Sequence, residues 1–201
     1  MLRVGLTGGL ASGKSFVGET LQELGCYLIR ADELGHQVLA PEGEAYAGVV
    51  KEFGPDILRE DGTIDRRRLA SIVFKDAEKL AKLNALVHPA VQARSARMLG
   101  EYASNHPRGI AIYEAAILIE TGSYREFAKL IVAVCGVEQQ IERAMRRDGI
   151  SREEALDRLK RQMSLDEKLK YADYRVDTSG TKETTRAQVH ALYQTLKGLT
   201  L

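Results

Sequence analysis

The sequence predicts an α/β fold in which helices flank a parallel β-sheet. Short apolar runs alternate along the chain with segments of helical pattern, an order typical of parallel sheets. Between the first apolar run and the first helical segment, residues 8–15 match the pattern GxxxxGK[ST], as a phosphate-binding loop between a strand and a helix does. Together these observations predict the fold of the P-loop NTPases.

Hydrophobic patterning places the individual elements in order. Short apolar runs bounded by turn residues predict strands at residues 2–7, 26–29, 109–113, 130–135 and 174–177. Helical patterns predict helices at residues 14–24, 33–39, about 137–147 and about 182–198. The first helix stops at Gly25, a natural C-cap. The last carries an apolar stripe formed by Val189, Leu192, Tyr193 and Leu196.

A long segment at about 42–108 interrupts the alternation. It reads as mostly helical, with turn signals at Gly54-Pro55 and Asp61-Gly62. One of its helices has an apolar face formed by Leu80, Leu83 and Val87. We expect this helix to loosen near His88-Pro89, because a residue before proline disfavours the helical conformation.

A second interruption is the charged segment at about 148–172, where Ser151 and Glu154 form a capping-box pattern. We therefore predict one domain with three kinds of part. The core would comprise residues 1–41, 109–147 and 173–201, each bound being approximate. The helical segment would be a substrate-binding insertion, and the charged segment a mobile lid.

Composition argues against several classes of protein. Of the 201 residues, 44% are hydrophobic and 28% charged, which is an ordinary globular balance, and the net charge is only +1. Proteins that coat nucleic acid usually carry a larger basic excess. Cys26 and Cys135 are too few for a disulfide framework or a four-cysteine metal site. With no long apolar run and no signal-peptide pattern, we expect a cytoplasmic protein without membrane or nucleic-acid partners.

The chemistry of the glycine-rich segment explains its residue types. It consists of Gly8, Gly9, Leu10, Ala11, Ser12, Gly13, Lys14 and Ser15. Glycines allow a tight turn whose N–H groups point at phosphate oxygens, and the helix that follows adds its positive N-terminal end. Lys14 can place its charge on the β and γ phosphates, and the Ser15 hydroxyl can bind Mg²⁺. The motif alone does not separate ATP from GTP, although a base-reading NKxD segment is absent.

Asp32 lies just beyond the second predicted strand. Ligands of doubly wound sheets gather at the carboxyl ends of strands, so this carboxylate could accept a proton from an attacking hydroxyl or hold Mg²⁺ through water. It could equally be the N-cap of the helix predicted from Glu33. Local sequence leaves both interpretations open.

An ordered set of segments resembles the dephospho-CoA kinase family, which belongs to the kinases similar to nucleoside-monophosphate kinases. The resemblance covers nearly the whole chain and is carried by Gly5–Ser15, Ala31-Asp32, Phe53-Gly54, Asp61–Arg66, Leu83-Asn84 with His88-Pro89, Ile117–Glu120, Arg143 with Arg147–Gly149, Gln162 and Ala172-Asp173. The phosphate-loop motif is shared with many families, whereas the ordered set of the others is specific.

The resemblance implies an enzyme that phosphorylates the ribose 3′-hydroxyl of dephospho-CoA with ATP and Mg²⁺, giving CoA and ADP in the last step of CoA biosynthesis. It implies that residues 11–16, which include Phe16, line the ATP phosphates, and that Asp32 is the base for the hydroxyl. Three positions depart from the family pattern. Arg30 stands where an aspartate is common, Ala116 where a proline is usual, and Thr178 where an asparagine is expected.

A basic cluster lies between residues 143 and 161. Its seven cations are Arg143, Arg146, Arg147, Arg152, Arg158, Lys160 and Arg161, and four acids among them leave +3. Arginines of a lid could stabilise the charge of the moving phosphoryl group, and Arg143 and Arg147 are our candidates. The alternative is a solvated helix with ion pairs such as Glu154–Arg158.

Other groups are candidates for contact with the acceptor. His88 and Asn84 lie in the predicted insertion, and Arg66 could meet the pyrophosphate of the substrate. A run of charges is more often a solvated face. Glu114 follows a predicted strand and could orient Mg²⁺ or substrate, and Glu120 could be structural.

Two other functions remain open from the residues alone. One is a P-loop kinase for another small acceptor, such as a nucleoside monophosphate. The other is a nucleotide-dependent regulatory module without transfer chemistry, which would bind a partner protein. For the leading function we expect a monomer or a weak homo-oligomer.

Overall fold

The structure is a computed structural model and describes residues 1–200. The five strands are β1 (Leu2–Gly8), β2 (Tyr27–Arg30), β3 (Ile110–Glu114), β4 (Lys129–Val134) and β5 (Tyr174–Asp177). The α-helices are α1 (Lys14–Glu23), α2 (Ala31–Val38), α3 (Tyr46–Phe53), α4 (Arg66–Val73), α5 (Ala77–Asn105), α6 (Val137–Asp148), α7 (Arg152–Lys160), α8 (Leu165–Leu169) and α9 (Lys182–Gly198). Short 3₁₀ helices occur at Pro55–Ile57 and Ser123–Glu126.

The strands form one sheet in the order β2-β3-β1-β4-β5, and every neighbouring pair is parallel. Strand β1 is central, and Leu6 pairs with Glu114 of β3 on one side and with Ile131 of β4 on the other. Parallel strands bring their carboxyl ends to one edge, where ligands of such sheets bind. The predicted α/β fold with a parallel sheet is therefore confirmed.

The chain forms two compact units, of which the first comprises residues 1–30 and 102 onward. The strands of its sheet carry side chains with no exposed surface, such as those of Leu6, Ile112 and Ile131. Helices α1 and α9 bury their apolar faces in the same core. The predicted stripe of α9 is confirmed, with Val189, Leu192 and Leu196 buried and Tyr193 packed against them.

The second unit comprises residues 31–101 and has a core of its own. Buried side chains of α2, α3 and α4 form this core, and the predicted face of α5, with Leu80, Leu83 and Val87, packs against it. The turns at Gly54 and Gly62 are confirmed by φ angles of +82° and +79°. The unit begins with α2, whereas the sequence placed that helix in the core and started the insertion at about 42.

Two local predictions are wrong. Helix α5 was expected to loosen near His88-Pro89, but it continues through Pro89 to Asn105. Proline removes one backbone donor, and the apolar residues on both sides of it, Val87 and Val91, stay packed on the core and keep the helix in place. Helix α2 starts at Ala31, so Asp32 lies within its first turn and is not its N-cap.

The remaining features of the chain agree with its patterning. Ser151 and Glu154 form the predicted capping box at the start of α7. Both cysteines are buried and unpaired in disulfides, and burial raises the pKa of the Cys26 thiol to about 12. Across residues 1–200, no helix combines the length and the apolar character that crossing a bilayer requires.

Candidate active site

The glycine-rich loop connects the end of β1 at Gly8 to the start of α1 at Lys14. Gly13 precedes the helix with φ +83°, a left-handed conformation that favours glycine. At Gly8 a Cβ atom would lie 2.7 Å from the carbonyl oxygen of Ala133, so a side chain does not fit there. Ala11 also has a positive φ, of 49°. The loop thus has the tight geometry that the motif predicts.

Helices α6 and α7 support the outer part of this loop. Gln140 of α6 is 3% exposed, and its Nε2 would lie 2.6 Å from a Cβ atom at Gly9. Leu10 and Ala11 pack against an apolar cluster formed by Ile141, Ala144 and Ala155. The sequence did not indicate Gln140, because a glutamine in a polar helix gives no signal of its burial under a loop.

Two side chains follow the loop on the first turn of α1. Lys14 is half-buried, and within residues 1–200 its ammonium group has neither a carboxylate nor a hydrogen-bond partner. The ring of Phe16 has two cations over it, with Lys182 Nζ at 5.7 Å and Arg186 Cζ at 5.4 Å from the ring centroid. Arg186 also forms an ion pair with Glu23 at the end of α1, so Lys14 and Lys182 are the cations near the start of this helix that are not in that pair.

Ser15, on the first turn of α1, meets Glu114 at the carboxyl end of β3. The Ser15 hydroxyl donates a hydrogen bond of 2.7 Å to Glu114 Oε1. Glu114 ends β3 and is only 5% exposed. This contact brings the predicted metal-binding hydroxyl together with the predicted carboxylate.

Arg30 occupies the position where the resembling family often has an aspartate. Its guanidinium lies 3.6 Å from Glu114 Oε2 and 3.3 Å from Glu19 Oε1. This chain therefore has a cation where the family often has a carboxylate, and the cation lies close to the carboxylates of Glu19 and Glu114. A carboxylate at position 30 would instead lie beside Glu114, so the departure changes the local charge.

The donor set at this edge suits Mg²⁺. Mg²⁺ prefers oxygen ligands and is usually bound by one or two protein groups, with phosphate oxygens and water completing its shell. Ser15 Oγ and Glu114 provide such oxygens 2.7 Å apart. Among the described residues no three His, Cys, Asp or Glu side chains cluster as a metal site.

Arg143 points from α6 to the end of β5. Its NH2 group donates to the backbone oxygen of Thr178 at 2.7 Å, and its NH1 group donates to Thr178 Oγ1 at 3.2 Å. The Thr178 hydroxyl also lies 2.7 Å from the carbonyl oxygen of Ser12 in the loop. The predicted residue Arg143 is thereby connected to the phosphate loop through one threonine.

The other cations of the basic cluster are largely paired with acids. Arg147 makes a bidentate contact with Asp148, with Nε at 2.7 Å and NH2 at 3.0 Å, and Arg158 lies 3.2 Å from the same carboxylate. The Arg147 guanidinium is the main reason why the pKa of Asp148 lies below its usual range. The suggested Glu154–Arg158 pair is wrong, since Glu154 completes the capping box and Arg158 pairs with Asp148.

The charges of Asp32 and Arg66 both act on His36 within the second unit. Asp32 is exposed on α2, and Arg66 is the first residue of α4. Burial and the Arg66 charge lower the pKa of His36, whereas the Asp32 and Glu33 charges act to raise it. His36 was not predicted from the sequence, because only the fold brings α4 close to it.

Asn84 and His88 lie one turn apart on α5. Asn84 is half-buried and His88 exposed. Arg68, two residues after Arg66, donates a hydrogen bond of 2.7 Å to the carbonyl oxygen of Asp56 and so supports the local fold.

The predicted site residues fall into two groups. The loop residues, Glu114, Arg143 and Arg147 lie in the first unit, and Asp32, Arg66, Asn84 and His88 in the second.

A buried ion pair was also missed. Lys168 of α8 has no exposed surface, and its Nζ lies 2.8 Å from Glu120 Oε1 and 2.7 Å from the carbonyl oxygen of Ala116. The Thr7 hydroxyl donates to the same carbonyl at 3.2 Å. Ala116 stands at the family's usual proline position, and both contacts use only its carbonyl group, which proline shares. Glu120 is thus structural, as one interpretation expected.

Comparisons with known proteins agree with this geometry. The family model described as dephospho-CoA kinase matches residues 2–183. The dephospho-CoA kinase of Aquifex aeolicus (strain VF5) is 43% identical over 196 residues, covering 98% of each chain. The solved structure of TT1252 from Thermus thermophilus is similar with a TM-score of 0.79 at 31% identity, covering 96% of this chain and 97% of that one.

The structure of dephospho-CoA kinase from Campylobacter jejuni is similar with a TM-score of 0.66 at 26% identity, covering 96% of each chain. The parallel sheet, the loop at its centre and these similarities confirm the P-loop NTPase fold. The resemblance seen in the sequence is confirmed as well. The chain belongs to the dephospho-CoA kinase family.

Proposed function

We propose that the chain carries out the reaction of its family, ATP-dependent phosphorylation of dephospho-CoA, at the ribose 3′-hydroxyl and with the residues described above. The observation that supports this most directly is the Ser15–Glu114 contact at the carboxyl end of the central strands. A phosphate loop followed by a hydroxyl and a carboxylate is the arrangement that P-loop kinases use for a nucleotide with its metal ion.

The ATP phosphates would bind the loop from Gly8 to Phe16. Its backbone N–H groups and the N-terminus of α1 favour anions, and Lys14 has no competing acidic partner within residues 1–200. Lys14 would stabilise the charge on the β and γ phosphates. Arg143, fixed by Thr178, and Arg147 would add charge as the phosphoryl group moves.

Ser15 and Glu114 would hold Mg²⁺ beside the nucleotide. When bound, the ion neutralises charge that develops on the phosphate oxygens. Glu114 would keep the Ser15 hydroxyl oriented by accepting its proton in a hydrogen bond. Arg30 lies within ion-pair distance of both Glu19 and Glu114. Its positive charge therefore reduces the net negative charge of these two carboxylates.

Asp32 would serve as the base for the acceptor. Its carboxylate would take the proton of the 3′-hydroxyl as the oxygen forms a bond to the γ phosphorus, while the bond from that phosphorus to the β-phosphate oxygen breaks and ADP leaves. Arg66, Asn84 and His88 would bind the acceptor in the second unit, the substrate-binding part. Arg66 and Asp32 both act electrostatically on His36, which supports a polar site there.

The segment at about 148–172 would act as a lid over ATP. Its first helix, α7, contacts the loop cluster through Ala155, which packs with Leu10 and Ala11. Closure of such a segment would exclude water that hydrolyses ATP. The buried Lys168 holds the end of this segment to the core through its ion pair with Glu120.

ADP production with and without dephospho-CoA tests the proposal. We expect ADP to form only with the acceptor, and phosphorus and proton NMR of the product to place the new phosphate on the ribose 3′-oxygen. Phosphorylation of a nucleoside monophosphate in preference to dephospho-CoA would contradict the proposed acceptor. ATP binding without any transfer would instead favour a regulatory module.

We also propose a cellular location and an oligomeric state for the protein. The participation of the reaction in CoA biosynthesis supports a cytoplasmic location. A monomer or weak homo-oligomer, with small molecules as the partners, stays our expectation. Sedimentation of the protein with and without ATP would determine the oligomeric state.

A further inference from the structure

We propose that Thr178 is a positioning residue that sets ATP affinity by fixing both a peptide group of the phosphate loop and Arg143. This inference rests on the proposed function, because it takes the loop as the binding site of the ATP phosphates. Thr178 lies directly after β5 and is 5% exposed. It does not touch the reacting atoms in this scheme and would act through its two neighbours.

The Thr178 hydroxyl bridges the sheet and the loop. Oγ1 lies 2.7 Å from the carbonyl oxygen of Ser12 and 3.1 Å from that of Val134. A hydroxyl has one hydrogen to donate, and the shorter distance identifies the Ser12 carbonyl as its main acceptor. The backbone N–H of Thr178 donates to the Val134 oxygen at 2.8 Å, so the threonine is itself fixed to β4.

This bond determines the orientation of one loop peptide. In a trans peptide the C=O of one residue and the N–H of the next point in opposite directions, and the chain has no cis peptide bonds in the described residues. With the Ser12 carbonyl held towards Thr178, the N–H of Gly13 points away from Thr178. That N–H is one of the donors that a phosphate loop offers to its ligand.

Packing makes the contact specific to a small side chain. A Cβ atom at Gly13 would lie 2.9 Å from Oγ1, 3.0 Å from Cβ and 3.1 Å from Cγ2 of Thr178. The backbone of the loop at Gly13 therefore packs directly against the Thr178 side chain. The resembling family has an asparagine at this position, so the hydroxyl contact is a property that this chain does not share with that pattern.

Arg143 is held by the same residue. It donates to the backbone oxygen of Thr178 at 2.7 Å and to Oγ1 at 3.2 Å. The hydroxyl thus accepts from the guanidinium while it donates to Ser12. Removal of the hydroxyl would release the loop carbonyl and take away one of two acceptors that orient Arg143, whereas the backbone acceptor would stay.

The test compares Thr178→Val and Thr178→Ser in the full chain. Valine keeps the branched shape of the threonine side chain, but the methyl group that replaces the hydroxyl cannot approach the Ser12 carbonyl oxygen to 2.7 Å. Serine keeps the hydroxyl. We expect the valine variant to weaken ATP binding about five- to thirtyfold, as for a lost bond that leaves a buried group unpaired. The serine variant should stay within about twofold of the wild type.

Affinity is measured by calorimetric titration with ATP alone, and KM for each substrate by steady-state kinetics. The KM for ATP should rise in the valine variant while the KM for dephospho-CoA stays unchanged. Thr185→Val is the matched control, since Thr185 is 2% exposed and its hydroxyl contacts only the carbonyl oxygens of Thr181 at 3.1 Å and Asp177 at 3.4 Å, neither of which belongs to the phosphate loop. It should lower the unfolding midpoint without changing ATP affinity.

Three results would overturn the proposal. They are wild-type ATP affinity in the folded valine variant, an equal loss in the serine variant, and an equal rise in both KM values. If the valine variant does not fold, Thr178→Ala provides the same comparison. Lack of transfer to dephospho-CoA by the wild type would contradict the proposed function alone, because the ATP titrations do not depend on the acceptor.

Discussion

The Ser15 hydroxyl, on the first turn of α1, donates a hydrogen bond of 2.7 Å to Glu114 Oε1 at the end of β3. The two residues are 99 positions apart in the chain, and the parallel register that pairs Leu6 with Glu114 brings them together. The other oxygen of Glu114 lies 3.6 Å from Arg30. A nearly buried carboxylate thus lies between a hydroxyl and a cation, at the site that we propose for Mg²⁺.

Replacing Glu114 by glutamine should raise the magnesium requirement. Glu114→Gln keeps the size and the acceptor oxygen but removes the charge, and loss of a group that orients or binds a metal typically costs 10- to 100-fold in metal affinity. Initial rates against Mg²⁺ concentration at fixed ATP would measure the shift. Glu19→Gln removes the exposed partner of Arg30 and is the control, with near wild-type dependence. Equal curves for the two variants would contradict the metal role of Glu114.

Lys14→Ala should lose most of the transfer rate. In the proposed mechanism the alanine removes a charge that stabilises the phosphates in the transition state, and removal of one such electrostatic group typically lowers kcat by about 10²–10³. Rates of ADP formation at saturating dephospho-CoA would show the effect. Lys75→Ala, an exposed lysine of the second unit, should behave as the wild type. Unchanged kinetics in Lys14→Ala would exclude the assignment of the loop.

Asp32→Asn should lower kcat by about 10²–10⁴, the usual contribution of general-base catalysis. ATP affinity measured by calorimetry should not change, because in the proposed mechanism Asp32 acts on the acceptor hydroxyl and does not bind ATP. Glu33→Gln is a suitable control, since this exposed carboxylate lies on the next residue of the same turn. Turnover of the asparagine variant at the wild-type rate would rule out the base role.

Local patterns were sufficient for the sheet and for the phosphate loop. Strand residues such as Leu6 and Ile131 are fully buried, so their apolar runs were visible, and the loop needs glycines at fixed spacing. Pro89 misled the prediction for α5, because a rule about one residue competes with the packing of Val87 and Val91 on either side. Tertiary contact decided the outcome there.

Groups that act through distant contacts gave no signal in the sequence. Gln140, Lys168 and Thr178 look like ordinary polar residues, and each is buried only because another segment covers it. The basic cluster shows the opposite case. Its composition was visible, but the contact of Arg158 with Asp148 depends on how α7 packs against the end of α6, which no local pattern predicts.

The Lys168–Glu120 pair should stabilise the protein asymmetrically. Lys168 is fully buried, whereas the Glu120 side chain is 21% exposed. Removing one partner of a buried pair costs about 3–5 kcal/mol when the other is left uncompensated. Glu120→Gln, which leaves the buried ammonium without its carboxylate, should therefore lower the free energy of unfolding by more than Lys168→Met, whose remaining carboxylate reaches water and accepts from Met163 N.

Urea denaturation of the two variants and of the double variant would measure this difference. The double variant should lose less than the sum of the single losses, because neither charge is left alone. Lys170→Met is the control, since that lysine forms an exposed pair with Glu167 one turn away, and exposed pairs contribute about 0–1 kcal/mol. Equal losses in the Glu120 and Lys168 variants would contradict the asymmetry.

His36 should report the charges of the second unit in a pH titration. Burial and the Arg66 charge place its pKa below 6.5, and the Asp32 charge opposes them. Arg66→Ala should therefore raise the pKa of His36, and Asp32→Asn should lower it further. Since the pKa is lowered in the folded protein, the unfolded chain takes up its proton first as the pH falls through 6.5. The contribution of His36 to stability is thus present above that pH and is lost below it.

Proton–nitrogen NMR of the imidazole across pH 5–8 would measure the pKa of His36 in each variant, with Arg67→Ala as the control for a neighbouring charge. A pKa that moved equally in the Arg66 and Arg67 variants would show that general surface charge, and not contact with Arg66, determines the protonation of His36.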